Sequence, residues 1–271
     1  MSPTEPELRV LTLNLLSPAD AAYPRRRPVL AAGIAALDAD LIALQETGPD
    51  RLVPDGYHVV HHPDADPVGA LLATRWPPGA VHTRDLHLTP RVDLPWAAAV
   101  AAFVDTPLGT VLFVHHKPSW QVGHAREREL QAVATARFAA ALTARHDVPV
   151  ILAGDFDDTP DSASIRFLTG RQSLDGYSVA YRDAWAQIHP DDPGHTFTPG
   201  NPLVAAGQMA QEPGRRIDYV MLGCGPHGPA LRVTGCRRVL DEPVDGVWAS
   251  DHFGVLARFG PPEHPPGTWR A

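Results

Sequence analysis

The chemistry of this chain gathers first at residues 148–162, VPVILAGDFDDTPDS. The apolar run 148–153 predicts a buried strand. Gly154 lets the backbone turn, and Asp155, Asp157 and Asp158 follow within four residues. Carboxylates delivered at the C-terminal end of a strand suit a cation site or a proton-transfer site. The same residues also suit an acidic surface turn, and the rest of the chain has to decide. Asn14 sits inside LRVLTLNLL, Glu46 closes ADLIALQE, and His115 and His116 close TVLFVHH. Asp218 lies inside RIDYVML, and Asp251 and His252 stand just ahead of FGVLARF. A buried Asn needs hydrogen-bond partners, either structural or in a site. A carboxylate at the end of a buried strand needs solvent, a partner or a metal; for Glu46 an exposed loop is the plain alternative. Adjacent histidines on a strand point to opposite faces, so at most one of His115 and His116 faces a site.

The elements that must position these residues alternate between strand and helix patterns. Strands are predicted over 8–16, 39–46, 57–61, 69–74, 80–88, 148–153, 216–222 and 253–259. Residues 97–105 and 109–115 form a hairpin around Pro107, Leu108 and Gly109. The clearest helix spans 123–145, where Leu130, Val133, Ala134, Phe138 and Leu142 share a face. Two shorter helices are expected at 28–38, with Pro28 in its first turn, and at about 163–169, capped from Asp161 or Ser162. Residues 170–214 read as loop, and GHTFTPGNP within them is either a cleft border or an ordinary connection.

Composition narrows the function classes. The chain has 271 residues, enough for one large domain or two small ones. With no linker or repeat in view, one domain over 1–271 is expected, with a core of about 8–260 and an irregular tail at 261–271. The formal charge of −8 argues against a general nucleic-acid binder. A run of basic residues at 25–27, with Arg215 and Arg216, would serve a nucleic-acid cleft only if it lined one; a solvated loop is the other reading. No stretch is long enough to span a membrane. The opening MSPTEPELRV lacks the basic and apolar regions of a signal peptide. Cys224 and Cys236 are too few for a disulfide framework and are expected as reduced thiols. Cytoplasmic residence follows.

Taken in order, LTLNLL, LIALQET, VLFVHHK, ILAGDFDDTPDS, RRIDYVML and SDHFGVLARF closely resemble the endonuclease/exonuclease/phosphatase superfamily, the DNase I-like fold, from residue 9 to 259. The resemblance implies an α/β (α+β) architecture: a four-layer αββα sandwich of two packed mixed β-sheets flanked by helices, with the site at one end. It implies hydrolysis of phosphoesters with a divalent metal, Mg²⁺ or alternatively Mn²⁺. Glu46 resembles the main metal ligand, with Asn14 beside metal and phosphate and Asp251 as a further carboxylate near the metal. Asp155 resembles the residue that orients and deprotonates the attacking water. Asp218 would hold the imidazole of His252, and His116 would contact the phosphate. Asp157 stands where an Asn is expected, and an ionised carboxylate cannot donate a hydrogen bond to phosphate.

The expected activity is a phosphodiester hydrolase, by in-line attack of water on phosphorus. Alternatives are a DNA or RNA nuclease, a phosphomonoesterase on a small metabolite, and a non-catalytic binding protein. His116 resembles the DNase I, sphingomyelinase and inositol-phosphatase side of the family rather than the AP-endonuclease branch. Leu16 stands where some DNA-repair members carry a carboxylate. With the acidic balance, this favours a small or lipid-derived phosphoester over duplex DNA, handled by a monomer without membrane insertion. Trp120, in KPSWQ directly after His116, is expected beside the cleft against the non-phosphate part of the substrate, or else as a loop anchor on the core.

Overall fold

The computed structural model describes residues 5–146 and 148–269. The chain runs through β1 (Leu8–Asn14), α1 (Tyr23–Leu37), β2 (Leu41–Thr47), β3 (His58–His61), β4 (Gly69–Thr74), β5 (Pro78–Asp85), β6 (Ala98–Thr106) and β7 (Gly109–Lys117) to the long helix α2 (Ala125–Thr143). Then follow β8 (Val150–Asp155), α3 (Ala163–Leu168), β9 (Tyr181–Asp183), α4 (Ala184–Ile188), α5 (Pro202–Ala205), β10 (Asp218–Gly225), β11 (Gly228–Pro229), β12 (Arg232–Val239) and β13 (Gly254–Gly260).

Two mixed sheets result. One has the order β12-β13-β1-β2-β4-β3, the other β11-β10-β8-β7-β6-β5 with β9 beside β10. Each sheet holds one parallel pair joined through a helix: β1 and β2 across α1, β7 and β8 across α2. A parallel crossover sets two strand C-termini side by side, so each sheet brings two of its polar strand ends to the same edge. Antiparallel β10 starts where β8 ends, with Asp218 opposite Asp155. β13 likewise starts where β1 ends.

Side-chain alternation builds the layers. Val10, Leu41 and Ala43 face Val100, Phe113, Ile151 and Val220 between the sheets. Their neighbours Leu11, Leu13 and Ile42 turn outward to Leu30 and Ile34 of α1. On the other side Leu112, Val114 and Leu152 meet Ala132 and Ala136 of α2 and Ile165 of α3. Each fully buried Leu, Ile or Phe contributes about 1.5–3 kcal/mol of transfer free energy. The αββα sandwich is therefore the observed fold.

The elements differ from the sequence expectation in two places. α1 begins at Tyr23, so Pro24, not Pro28, occupies its first turn, and Pro28 sits inside the helix. The short elements β9, α4 and α5 lie within the stretch 170–214 that reads as loop, and β11 and β12 fall where the sequence reading assigns no element. Cys224 and Cys236 are free thiols. Among the described residues, no helix is long and apolar enough to cross a membrane.

Candidate active site

The strand ends converge on a cavity of about 890 Å³ whose wall includes Asn14, Glu46, Lys117, Asp155, Asp251 and His252. Glu46 reaches it through a bulge: the β2–β4 register slips between Gln45 and Thr47, and Glu46 takes a left-handed φ of 56°. Such a conformation is strained for a non-glycine residue and marks a re-aimed side chain. Its carboxylate accepts from Ser17 N at 2.8 Å and from Asn14 Nδ2 at 2.9 Å. Asn14 Nδ2 also donates to Asp155 Oδ2 at 3.0 Å, while Asn14 Oδ1 accepts from Leu16 N. Asn14 thus links the carboxylates of the two sheets. Both of its amide protons are taken by those carboxylates, and its oxygen, which accepts from Leu16 N, keeps a second lone pair.

Asp155 owes its place to Gly154, where a Cβ would lie 2.0 Å from His116 O; only glycine lets β8 approach β7 there. Three donors hold its carboxylate: Lys117 Nζ at 2.6 Å and Asn14 on Oδ2, and Asp157 N at 3.1 Å on Oδ1. Burial raises its pKa, but the charges of Lys117 and His252 outweigh burial and hold it at about 2. Lys117 Nζ also donates to Asp157 Oδ2. Burial alone would strip the proton from Lys117; the two carboxylates reverse that and raise its pKa. Asp157 goes the other way. Burial first, then the neighbouring Asp155, push it up to about 7 against the pull of Lys117. Asp157 also sits in the left-handed region, at φ 54°.

His252 lies on the same wall, and its Nδ1 is 2.9 Å from Oδ2 of the buried Asp218 behind it. Burial opposes a charged imidazole, but Asp218, Asp155 and Asp251 carry His252 up to about 10. It is an imidazolium at neutral pH. The GHTFTPGNP loop supports this pair. Thr196 Oγ1 accepts from Ile217 N and Asp218 N, and Asn201 Nδ2 donates to Ser250 O and Asp251 O. Phe197 packs on the His252 ring with centroids 5.0 Å apart.

His116 departs from expectation. It lies on the outer face of its strand, hydrogen-bonded to Thr135 Oγ1 of α2 and packed on Phe156. Burial, helped by the adjacent Lys117 charge, holds it neutral at about 3. His115 points between the sheets to Gln45 and His62. Lys117, two residues after His115 and on its face, takes the cavity position assigned to His116. Trp120 stands on the rim with 43% of its surface exposed.

The arginines disperse. Arg26 is buried, and its guanidinium donates to six main-chain oxygens, among them Leu15 O, Ser17 O and Ala249 O. It therefore ties the loop after β1 to the segment before Asp251. Arg216 pairs with buried Asp183 at 2.6 Å, and Arg215 pairs with Glu212. Among the described residues the cations on the cavity wall are Lys117 and His252, both matched to carboxylates. In the sequence Thr196 and Asn201 are pointed to only by the GHTFTPGNP motif, Lys117 only as the first residue of KPSWQ, and Arg26 only within the basic run 25–27.

The donor set fits a hard divalent cation. Glu46 and Asp251 have no salt-bridge partner among the described residues, yet they share one cavity wall. Asp251 has its pKa raised by burial and by Glu46, though His252 opposes it. Two carboxylates without a direct ion pair are oxygen ligands of the kind Mg²⁺ or Mn²⁺ takes. Asp155, Asp218 and His252 also cluster closely enough to be considered for a metal. There the imidazolium has no free lone pair and the group is internally charge-matched, so it suits anion and proton chemistry instead.

The family model of the Endonuclease/Exonuclease/phosphatase family matches residues 11–252. No curated protein sequence matches the chain. Among solved structures, D. rerio TDP2 complexed with single strand DNA product is similar at TM-score 0.75 and 18% identity, over 94% of this chain and 99% of that one. The human Nocturnin catalytic domain with bound sulfate anion is similar at TM-score 0.68 and 18% identity, over 96% of each chain. An endonuclease/exonuclease/phosphatase family protein from Bacteroides thetaiotaomicron is similar at TM-score 0.68 and 19% identity, over 98% of this chain and 99% of that one.

Proposed function

The chain belongs to the Endonuclease/Exonuclease/phosphatase family, and from that premise we propose that it is a cytoplasmic, single-domain phosphodiester hydrolase dependent on Mg²⁺ or Mn²⁺. One observation carries this reading: two carboxylates without a salt-bridge partner among the described residues, Glu46 and Asp251, share a cavity with the ionised Asp155 and the imidazolium of His252. Glu46 and Asp251 would hold the metal, which when bound neutralises charge on the phosphoryl oxygens.

The chain's own groups do the rest. Asp155 Oδ1 carries one donor and keeps a lone pair for a water, so it orients that water and accepts its proton as the new P–O bond forms and the bond from phosphorus to the leaving alkoxide breaks on the opposite side, the alkoxide taking its proton from solvent. Asn14 and Lys117 fix the carboxylate for that work. His252, held by Asp218 through Nδ1, donates from Nε2 to a phosphoryl oxygen and stabilises the charge that grows there. The cavity is lined by polar groups together with the apolar side chains of Val68, Leu94, Trp96, Trp120, Phe197 and Met209. That combination favours a small or lipid-derived phosphoester with an apolar portion beside the phosphate.

A nuclease is the second reading. It draws on the aromatic rim, which would also stack bases, but among the described residues the only cations on the cavity wall are Lys117 and His252, both paired with carboxylates. Hydrolysis of bis-p-nitrophenyl phosphate with and without Mg²⁺ or Mn²⁺, followed by a phospholipid, nucleotide and single-stranded DNA panel, tests the proposal. Absence of metal-dependent turnover on every phosphoester would overturn it. Ligand binding without turnover would support a binding protein instead.

A further inference from the structure

We propose that Asp157 keeps its proton in the resting protein and offers it, as a neutral carboxylic acid, in a hydrogen bond to a phosphoryl oxygen of the substrate. The inference rests on the phosphoesterase reading for its ligand, and on the geometry of one cluster for its chemistry.

Lys117, Asp155 and Asp157 are all buried, with 2%, 1% and 7% of their surfaces exposed. A single ammonium bridges the two carboxylates. One cation cannot neutralise two anions in a site from which water is withdrawn, so one carboxylate holds a proton. Asp155 has the stronger claim to the charge, because Asn14 Nδ2 and Asp157 N also donate to it. Asp157 receives only Lys117, on Oδ2. Its Oδ1 has no hydrogen-bond partner among the described residues, and the residue lines the cavity. The proton on Oδ1 therefore faces the space where a phosphate would sit.

The other charged groups around Asp157 leave this balance in place. His252 lies near, but its charge is matched by Asp218. Asp158, the next residue, turns to Arg128 of α2 at 3.0 Å and to Ser164. Glu46 and Asp251 on the same cavity wall are further carboxylates, which disfavour another negative charge. The raised pKa of Asp157, at about 7, agrees with the geometry. A neutral Asp157 also answers the difficulty its side chain raised in the sequence: a carboxylic acid, unlike a carboxylate, donates to phosphate as an amide would.

Asp157→Asn supplies the test, since Asn tolerates a left-handed backbone and donates at every pH. In the substrate-free protein, carbon-13 NMR of the aspartate carboxyls is expected to reveal one group titrating near neutral pH, missing in D157N. Binding of inorganic phosphate by calorimetry is expected to weaken about tenfold per pH unit above that titration in the wild type, and not in D157N. Turnover of bis-p-nitrophenyl phosphate is expected to lose its alkaline limb in D157N in the same way. If no aspartate carboxyl resonance titrating near neutral pH disappears in D157N, or if D157N keeps the alkaline weakening of phosphate binding, Asp157 is ionised and the proposal fails. If the NMR titration is found while no phosphoester is turned over by the wild type, the phosphoesterase reading fails and the protonated Asp157 stands.

Discussion

Replacing Lys117 with Met is the perturbation that reaches furthest into this site. The side chain is 2% exposed, its Nζ lies 2.6 Å from Asp155 Oδ2, and it also donates to Asp157. Met conserves length and removes the charge, leaving two buried carboxylates with no ammonium between them. Removing one partner of a buried pair costs about 3–5 kcal/mol. The loss depends on pH, and its sign follows from the carboxylates. In the wild type Asp155 is depressed to about 2, so its contribution is present above the ordinary carboxylate range and lost as pH falls through about 2. In K117M both carboxylates titrate above their unfolded values. Stability is then retained at low pH and declines as pH rises through the folded values. Urea unfolding at about pH 8 is expected to register the full loss, and at about pH 5 markedly less. The double variant K117M/D157N leaves one buried carboxylate instead of two and is expected to be more stable than K117M at about pH 8, a coupling measured by the cycle. A K117M loss under about 1 kcal/mol at alkaline pH, or one equal at both pH values, would refute the shared-cation argument.

Asp155→Asn is expected to lower kcat by about two orders of magnitude or more, the scale of lost general-base catalysis, with Mg²⁺ affinity little changed in calorimetry. Glu46→Gln is expected to show the reverse, weaker Mg²⁺ binding with activity partly recovered at high metal; rescue of D155N by added Mg²⁺ would exchange the two roles. Trp120→Ala truncates a half-exposed rim residue, so KM should rise while stability moves by no more than about 0.5 kcal/mol. His116→Ala removes a buried ring packed on Phe156 and bonded to Thr135. It should lower stability by about 1–3 kcal/mol and leave kcat nearly unmoved; a collapse of kcat with intact stability would return His116 to the site.

The layers were legible because burial writes itself into the sequence as apolar period. LRVL, LIAL, VLFV and VILA are buried on both faces, and such runs have no other home than central strands. The same logic explains what was missed. β12, RVTGCRRV, is an edge strand of the first sheet with Arg237 exposed and its register broken between Val233 and Gly235. An edge strand with a bulge carries neither a continuous apolar run nor clean alternation. α1 was placed five residues late because Pro28 suggests a first turn, whereas Pro24 holds that place and the helix carries Pro28 internally.

The site was legible to the extent that strand ends are. Asn14, Glu46, Asp155, Asp218, Asp251 and His252 all arrive from apolar runs, and a parallel crossover in each sheet brings them to one edge. His116 and Lys117 were exchanged by a question of phase. Alternation says that one of the two histidines faces inward, but which face is inward depends on how β7 pairs with β6 and β8. Once His116 is chosen, the same alternation puts Lys117 on the opposite face of the strand, and the sequence offers it only as the first residue of the KPSWQ loop at the mouth of the site. Asp157 raises a related difficulty of a different kind. Its residue type suggests a negative charge, and the local sequence offers it only more acidic neighbours. Its protonation is decided by the count of cations that reach the same buried volume, and the one that does so comes from a strand forty residues earlier. A carboxylate count can be read along a chain, but the ratio of carboxylates to cations inside one desolvated cluster exists only after folding. That ratio decides whether this position repels a phosphate or donates to it.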